Sequence, residues 1–453
     1  MSSPFLAPCC GRTRVRGFLD QIALVLAGIL SFAITATAAE APLTLSDAQH
    51  RAIERSRQLM ADDAAAMASR DMAVAAGQLP DPVLKLGIDN LPIDGADRFS
   101  VTSDFMTMRR VGIMQELTRS EKRQLRAQRF EREAEKSLAQ KTATLTEIQR
   151  DTALAWLDRY YAEAQIDVIA EQIKEANAEI IAAEGAYRAG RGSQADIFAA
   201  RSARIALDDR TSEFSRRVRT AKIGLARWVG DIGDRPLAGK PAIDSIQLDT
   251  GAALGIHLGH HPAIALLSKQ EEVALTEVRL AEANKKSDWN VELMYSQRGP
   301  AFSNMVSVGV SIPLPWDQKN RQDREVAAKR AMVEAVRAER DEMLRAHVAE
   351  VRKMIDEWEN GRERLVRYER ELLSLAKERT TAAVASYRGG KTNLNDVLLA
   401  RRNEIDMRLQ ALQLEAETAR LWAQLNFIFP EYHDANDVNH STLSTDFPIK
   451  KNK

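Results

Sequence analysis

The residues that could do chemistry in this chain are few, and their spacing argues against most of it. His257, His260 and His261 form the one histidine cluster. Spacing of three on a helix can bring two imidazoles to one face, where they could meet a metal ion. Pro262 follows His261 directly, and a residue before proline is pushed out of the helical region. The cluster therefore reads as the start of a helix, and no metal site is assigned. The signatures of phosphate-loop ATP use, of a Gly-x-Ser-x-Gly elbow and of a His-Glu-x-x-His zinc pair are missing. Neither catalysis nor a cofactor is expected.

Asp196 and Asp396 each fall six residues after a glycine, Gly190 and Gly390. Glycine ends a helix readily, and an acidic residue favours the start of the next by capping and by the helix dipole. On the residues alone, this helix-start reading stands beside that of a functional carboxylate.

The elements around these turns are long. No Gly or Pro interrupts Thr118 to Glu184, and Ile166, Ile169, Ile173, Ala176 and Ile180 recur at coiled-coil spacing. This predicts one helix of roughly 100 Å at about 1.5 Å per residue. A second Pro-free stretch runs from Trp316 to Arg388, with Leu365, Tyr368, Leu372 and Leu375 as its seam and Gly361 as its only interruption before Gly389. Tyr187-Arg188-Ala189-Gly190 through Asp196-Ile197 to Ala200-Arg201 is matched by Tyr387-Arg388-Gly389-Gly390 through Asp396-Val397 to Ala400-Arg401. The fixed offset predicts two copies of one unit, residues 39–235 and 236–430, with turns near 187–196 and 387–396.

Each copy carries a pair of short alternating segments before its long helix, at about 82–117 and 289–314. Trp289, Val291, Leu293 and Tyr295 alternate with Asn290, Glu292, Met294 and Ser296, and Val306, Val308, Val310 and Ile312 follow the same period of two. In the first copy Leu84, Leu86 and Ile88, then Val111, Ile113 and Gln115, do the same less strongly. Four strands cannot close a barrel, and open edges are not tolerated in lipid. If these strands enter a membrane the chain must self-associate, and three copies would supply twelve strands.

Export is expected. Arg12, Arg14 and Arg16 precede an apolar run from about Ile22 to Ile34, and Ala36-Thr37-Ala38 offers a cleavage site, so residues 1–38 read as a signal peptide. Cys9 and Cys10 would leave with it. The mature chain then has no disulfide, no thiolate ligand and no N-terminal cysteine for a lipid anchor. Lys plus Arg and Asp plus Glu are both 64; removing three Arg and one Asp with the signal leaves 61 against 63. A nucleic-acid partner is not expected from this balance. Residues 431–453 are polar without an apolar period and read as a mobile tail.

The order of signal, strand pair, very long helix, Tyr-Arg-x-Gly-x5-Asp turn and returning helix, repeated once, resembles the TolC-type outer membrane factors over nearly the whole mature chain. The resemblance implies a mainly α fold with a membrane β-barrel. Three protomers would share a twelve-stranded barrel in outer-membrane lipid and an α-helical tunnel across the periplasm. The assembly would be a passive exit duct served by a periplasmic adaptor and an inner-membrane pump. Leu79-Pro80-Asp81-Pro82, Gly87-Ile88-Asp89-Asn90-Leu91-Pro92, Gln115-Glu116-Leu117 and Lys122-Arg123 resemble the branch paired with heavy-metal-cation pumps of the resistance-nodulation-division type. That branch often has Gly-Lys-Arg after the second strand, where this chain has Arg119-Ser120-Glu121-Lys122-Arg123. The resemblance makes Tyr187, Gly190, Tyr387 and Gly390 adaptor-docking residues and Asp396 a candidate for an acidic ring at the aperture. Leu399 stands where a second acidic ring would need Asp. A periplasmic adaptor would itself need lipoyl-like and small barrel domains around a single hairpin, which two equivalent units and four strands do not supply.

Overall fold

The computed structural model describes residues 41–248, 251 and 253–431. The expected signal peptide with Cys9 and Cys10, and the tail beyond Glu431, lie outside the described residues. Glu431 itself is held, exchanging two backbone hydrogen bonds with the Gln149 side chain at 2.7 and 3.1 Å.

Two helices open the described chain, α1 (Leu45–Arg55) and α2 (Arg57–Ala76), each started by a hydroxyl cap, Thr44 and Ser56. Strands β1 (Val83–Asp89) and β2 (Met108–Leu117) follow, then α3 (Ser120–Arg188) and the returning α4 (Gln194–Val229). The 69 residues of α3 take in the Gly- and Pro-free stretch from Ser120 and continue through Gly185. The second half runs through a short α5 (Leu254–Leu258), α6 (Pro262–Asn284), β3 (Trp289–Gln297), β4 (Met305–Ser311) and α7 (Gln322–Arg367). A π-helical turn, Tyr368–Leu372, joins α7 to α8 (Leu373–Arg388), and α9 (Leu394–Asn426) returns.

The second long stretch is interrupted, but not where the sequence suggested. Gly361 lies inside α7 and is buried against Thr418 of α9, leaving no room for a side chain. The break comes at the π turn, whose wider winding rotates the following residues off the apolar seam. Above it α7 buries Val351, Ile355 and Trp358; below it α8 buries only Thr380.

The main core lies where the helices cross two extended segments, near Leu43 and near Ile243. Trp156 of α3 donates its indole N–H to the Leu43 carbonyl at 3.1 Å, and Trp358 of α7 donates to the Ile243 carbonyl at 3.2 Å. Trp422 of α9 donates to the Ser245 carbonyl at 2.9 Å. Each indole thus buries a large apolar body while its one donor is satisfied, which is the condition for Trp in a core. Leu225 and Leu425, at matching ends of α4 and α9, are both buried in the same cluster. Truncating one of these tryptophans costs about 3–5 kcal/mol by the usual cavity penalty.

Between this core and the sheet, α6 is an acidic strap. Glu277 bonds Arg129 of α3 and Lys329 of α7, Glu272 bonds Arg132 of α3, and Glu271 bonds Arg337 of α7, at 2.6–3.1 Å. Partly exposed pairs contribute below about 1 kcal/mol each, so they set the alignment of three helices more than their stability.

Candidate functional site

The four strands form one antiparallel sheet in the order β1-β2-β3-β4. Its register puts Leu84 opposite Ile113, Ile113 opposite Leu293, and Leu293 opposite Val308. Residues directly opposite share a face, and faces alternate along a strand. One face is therefore Leu84, Leu86, Ile88, Val111, Ile113, Leu117, Trp289, Val291, Leu293, Tyr295, Val306, Val308 and Val310, broken only by Arg109, Gln115 and Gln297. These apolar side chains are mostly bare, Leu86 at 73% and Val308 at 71% exposed. The opposite face carries Lys85, Asp89, Arg110, Glu116, Asn290, Glu292, Ser296, Ser307 and Ser311, together with Val83, Met108, Met114, Met294 and Met305. Lys85 pairs with Glu292 and Arg110 with Asp89, both at 2.6 Å, and Glu116 accepts from the Thr118 hydroxyl. The outer edges of β1 and β4 have no partner strand in the sheet. Among the described residues, no helix is long and apolar enough to cross a membrane.

The sheet is tied to the helices at the turn from β2 into α3. The Arg119 backbone N–H donates to Asp288 at 3.0 Å, and Lys122 donates to the other oxygen of the same carboxylate at 2.7 Å. Lys122 is almost fully buried, so Asp288 offsets a desolvated cation as well as anchoring the chain. The exit of β2 and the entry of β3 are thereby locked together.

At the far end of α3 and α8, Gly190 and Gly390 both have φ of +69°, a region that favours glycine. The closing bonds correspond one for one. Arg191 N–H reaches the Ala186 carbonyl and Lys391 N–H the Ser386 carbonyl, both at 2.9 Å. Ser193 then caps α4 and Asn393 caps α9, each accepting from the backbone N–H of the aspartate three residues on. Asp196 completes a capping box with Ser193, and the Asp396 carboxylate accepts from Thr392. Both aspartates therefore start helices, and Asp396 remains exposed to solvent in the protomer.

The structure places the two turns against each other. Ala183, Ala200, Leu394 and Val397 are buried together, with Tyr387 packed on them. Tyr187 stays about half exposed. The Tyr387 hydroxyl is buried without a hydrogen-bond partner, and burial, then the nearby Asp196 carboxylate, pushes its pKa up. Slightly higher, Arg401 of α9 bonds Glu179 at 2.9 Å and Glu175 at 2.8 Å on α3. Burial raises the Glu179 pKa against the pull of Arg401, and Glu175 adds to the rise. Nothing in the sequence singled out this cross-hairpin cluster beyond the repeated Ala-Arg pair.

The histidines do not assemble into a centre. His261 caps α6, its Nδ1 accepting from Ala263 N–H at 3.3 Å, and its ring lies 4.2 Å from that of His347 on α7. Burial, then His347 and Arg150, lower the His261 pKa to about 4. His260 bonds the Ile256 carbonyl. Among the described residues, no group of three or more His, Cys, Asp or Glu is arranged to hold a metal.

Residues 254–429 match the model of the outer membrane efflux protein family. No curated protein matches the chain. Among solved structures, the outer membrane protein VceC of Vibrio cholerae is similar with a TM-score of 0.68 and 16% identity, over 85% of this chain and 95% of that one. The outer-membrane channel OprN gives 0.72 and 17%, over 85% and 90%. CusC gives 0.71 and 14%, over 84% and 91%. Over most of its length the chain thus has the fold of these outer-membrane channels, and residues 254–429 match the outer membrane efflux protein family.

Proposed function

We propose that the chain is the outer-membrane exit duct of a tripartite efflux system, working as a homotrimer with a periplasmic adaptor and an inner-membrane pump. The observation that carries this reading is the sheet, with one bare and largely apolar face, one face that gathers its paired charges, and two unpaired edges. Such a surface is tolerated where lipid covers the apolar side, water fills the other and copies of the chain close the edges. Three sheets would close a twelve-stranded barrel, and the turns at Gly190 and Gly390 would face the adaptor. The test is fractionation followed by mass measurement in detergent. An outer-membrane protein with the mass of three mature chains is expected; a folded, monodisperse monomer would sink the model.

The cargo we infer is heavy-metal cations, moved by a pump of the resistance-nodulation-division type, on the resemblance of the strand-end residues Leu79 to Pro82, Gly87 to Pro92 and Gln115 to Leu117. The duct itself would bind no resident metal. A strain lacking the chain should become sensitive to divalent metals, whereas sensitivity to dyes and antibiotics alone would replace this reading with drug efflux.

A further inference from the structure

The two faces of the sheet treat their cations differently. On the polar face Lys85 and Arg110 each have a carboxylate at 2.6 Å. The apolar face holds a single cation, Arg109, with Ile88 on one neighbouring strand and Gln297 on the other. Among the described residues Arg109 has no ion pair. Its guanidinium donates to the Arg298 carbonyl at 3.5 Å, and its Nε, like that of Arg110, is buried without a partner. Arg298 is likewise without a carboxylate, donating instead to the Phe105 carbonyl at 3.0 Å and lying over the Phe302 ring. Phe99 and Phe105, both 57% exposed, belong to the same loop side of the sheet.

Arg109 sits near the start of β2, the end remote from α3. On the proposed function this is the outer-leaflet end of the barrel wall, where hydrocarbon gives way to headgroups. An unpaired guanidinium is costly against lipid tails and becomes tolerable at headgroup depth, where an anion is at hand. A planar guanidinium fork matches a phosphate in two parallel hydrogen bonds. Aromatic rings beside it suit the same depth.

We propose that Arg109 binds the phosphate of a phosphorylated lipid of the outer leaflet and so anchors the barrel wall to its membrane. The proposal rests on the outer-membrane reading, and fractionation tests that reading separately. The full chain, delipidated in detergent, is titrated with bisphosphorylated lipid A and with its dephosphorylated form, with native mass spectrometry counting bound lipid. Wild type is expected to hold the phosphorylated form about tenfold more tightly, the effect of losing one strong charged contact. Arg109→Gln should lose that preference, while Arg110→Gln, on the polar face, should keep it. The comparison of the two lipids on wild type needs no variant to fold. Equal binding of both lipids, unchanged preference in Arg109→Gln, or full displacement of the lipid by equimolar inorganic phosphate would each overturn the site.

Discussion

Arg201 and Arg401 occupy equivalent places after the two turns, yet Arg201 bonds Glu184 of its own hairpin and is 55% exposed, whereas Arg401 crosses to Glu175 and Glu179 of the other hairpin and is 20% exposed. The same contrast runs through the neighbouring positions. Leu394 is buried where Gln194 is exposed, and Tyr387 is packed where Tyr187 is half exposed. The backbone of the turns is shared: φ of +69° at both glycines and matching closing bonds. Local chemistry therefore makes the turn, and the side that faces the other hairpin makes the difference. The first turn contributes Ala183 and Ala200 to the shared cluster but leaves Tyr187 and Arg201 largely outward; the second turns its Tyr387 and Arg401 toward the other hairpin.

The largest expected effect strikes the shared part. Gly190→Pro or Gly390→Pro cannot adopt a positive φ and should cost about 3 kcal/mol locally. Efflux and cross-linking to the adaptor should fall in both variants while barrel insertion is kept, and unchanged efflux in both would remove the turns from docking.

The next strikes the difference. Arg401→Ala leaves Glu179, 13% exposed on its side chain, without its cation. We expect a loss of about 2 kcal/mol, against less than about 0.5 for Arg201→Ala. Thermal or denaturant unfolding of the two variants checks this, and equal losses would erase the proposed asymmetry.

Asp396→Ala and Asp196→Ala should each cost about 1 kcal/mol as lost helix-start contacts. If three copies of Asp396 also ring the aperture, only Asp396→Ala should raise single-channel conductance or change cation preference in planar bilayers. Indistinguishable recordings for the two variants would leave both residues as helix starts alone.

The smallest effect is a pH dependence. With its pKa raised above the ordinary 4.5, Glu179 binds its proton more tightly in the folded chain than in the unfolded one. Its stabilising contribution is present in full below the unfolded value and is lost as pH rises through the folded one. Hydrogen exchange along α8 and α9 should therefore slow as pH is lowered from neutral towards 4.5, after correction for intrinsic rates, and Glu179→Gln should flatten the trend.

Much of the fold was legible because its rules are local. The absence of Gly and Pro from Thr118 to Glu184 marked α3, alternation marked the four strands, and the spacing from Gly190 to Asp196 marked a turn whose every bond spans six residues or fewer. Pro262 likewise announced that His261 would begin a helix. The π turn at Tyr368 was not legible, since Leu365, Tyr368, Leu372 and Leu375 keep a regular seam on paper. The partners of Trp156, Trp358 and Arg401 were not legible either, because each lies on a distant segment.

The sequence by itself determined the first long helix, the four strands and the two glycine turns, and that these turns share one design, because capping, glycine conformation and side-chain period act over a few residues. Only the tertiary structure decided which cations are paired and which turn faces inward. Arg109 and Arg110 are neighbours in sequence, but strand geometry sends them to opposite faces of the sheet, one beside Asp89 and the other among apolar side chains. Arg201 and Arg401 sit in equivalent local settings, but the packing of α9 on α3 places Glu175 and Glu179 beside only one of them. Charge and burial are properties of what surrounds a side chain, and those surroundings come from residues that folding brings in from elsewhere in the chain.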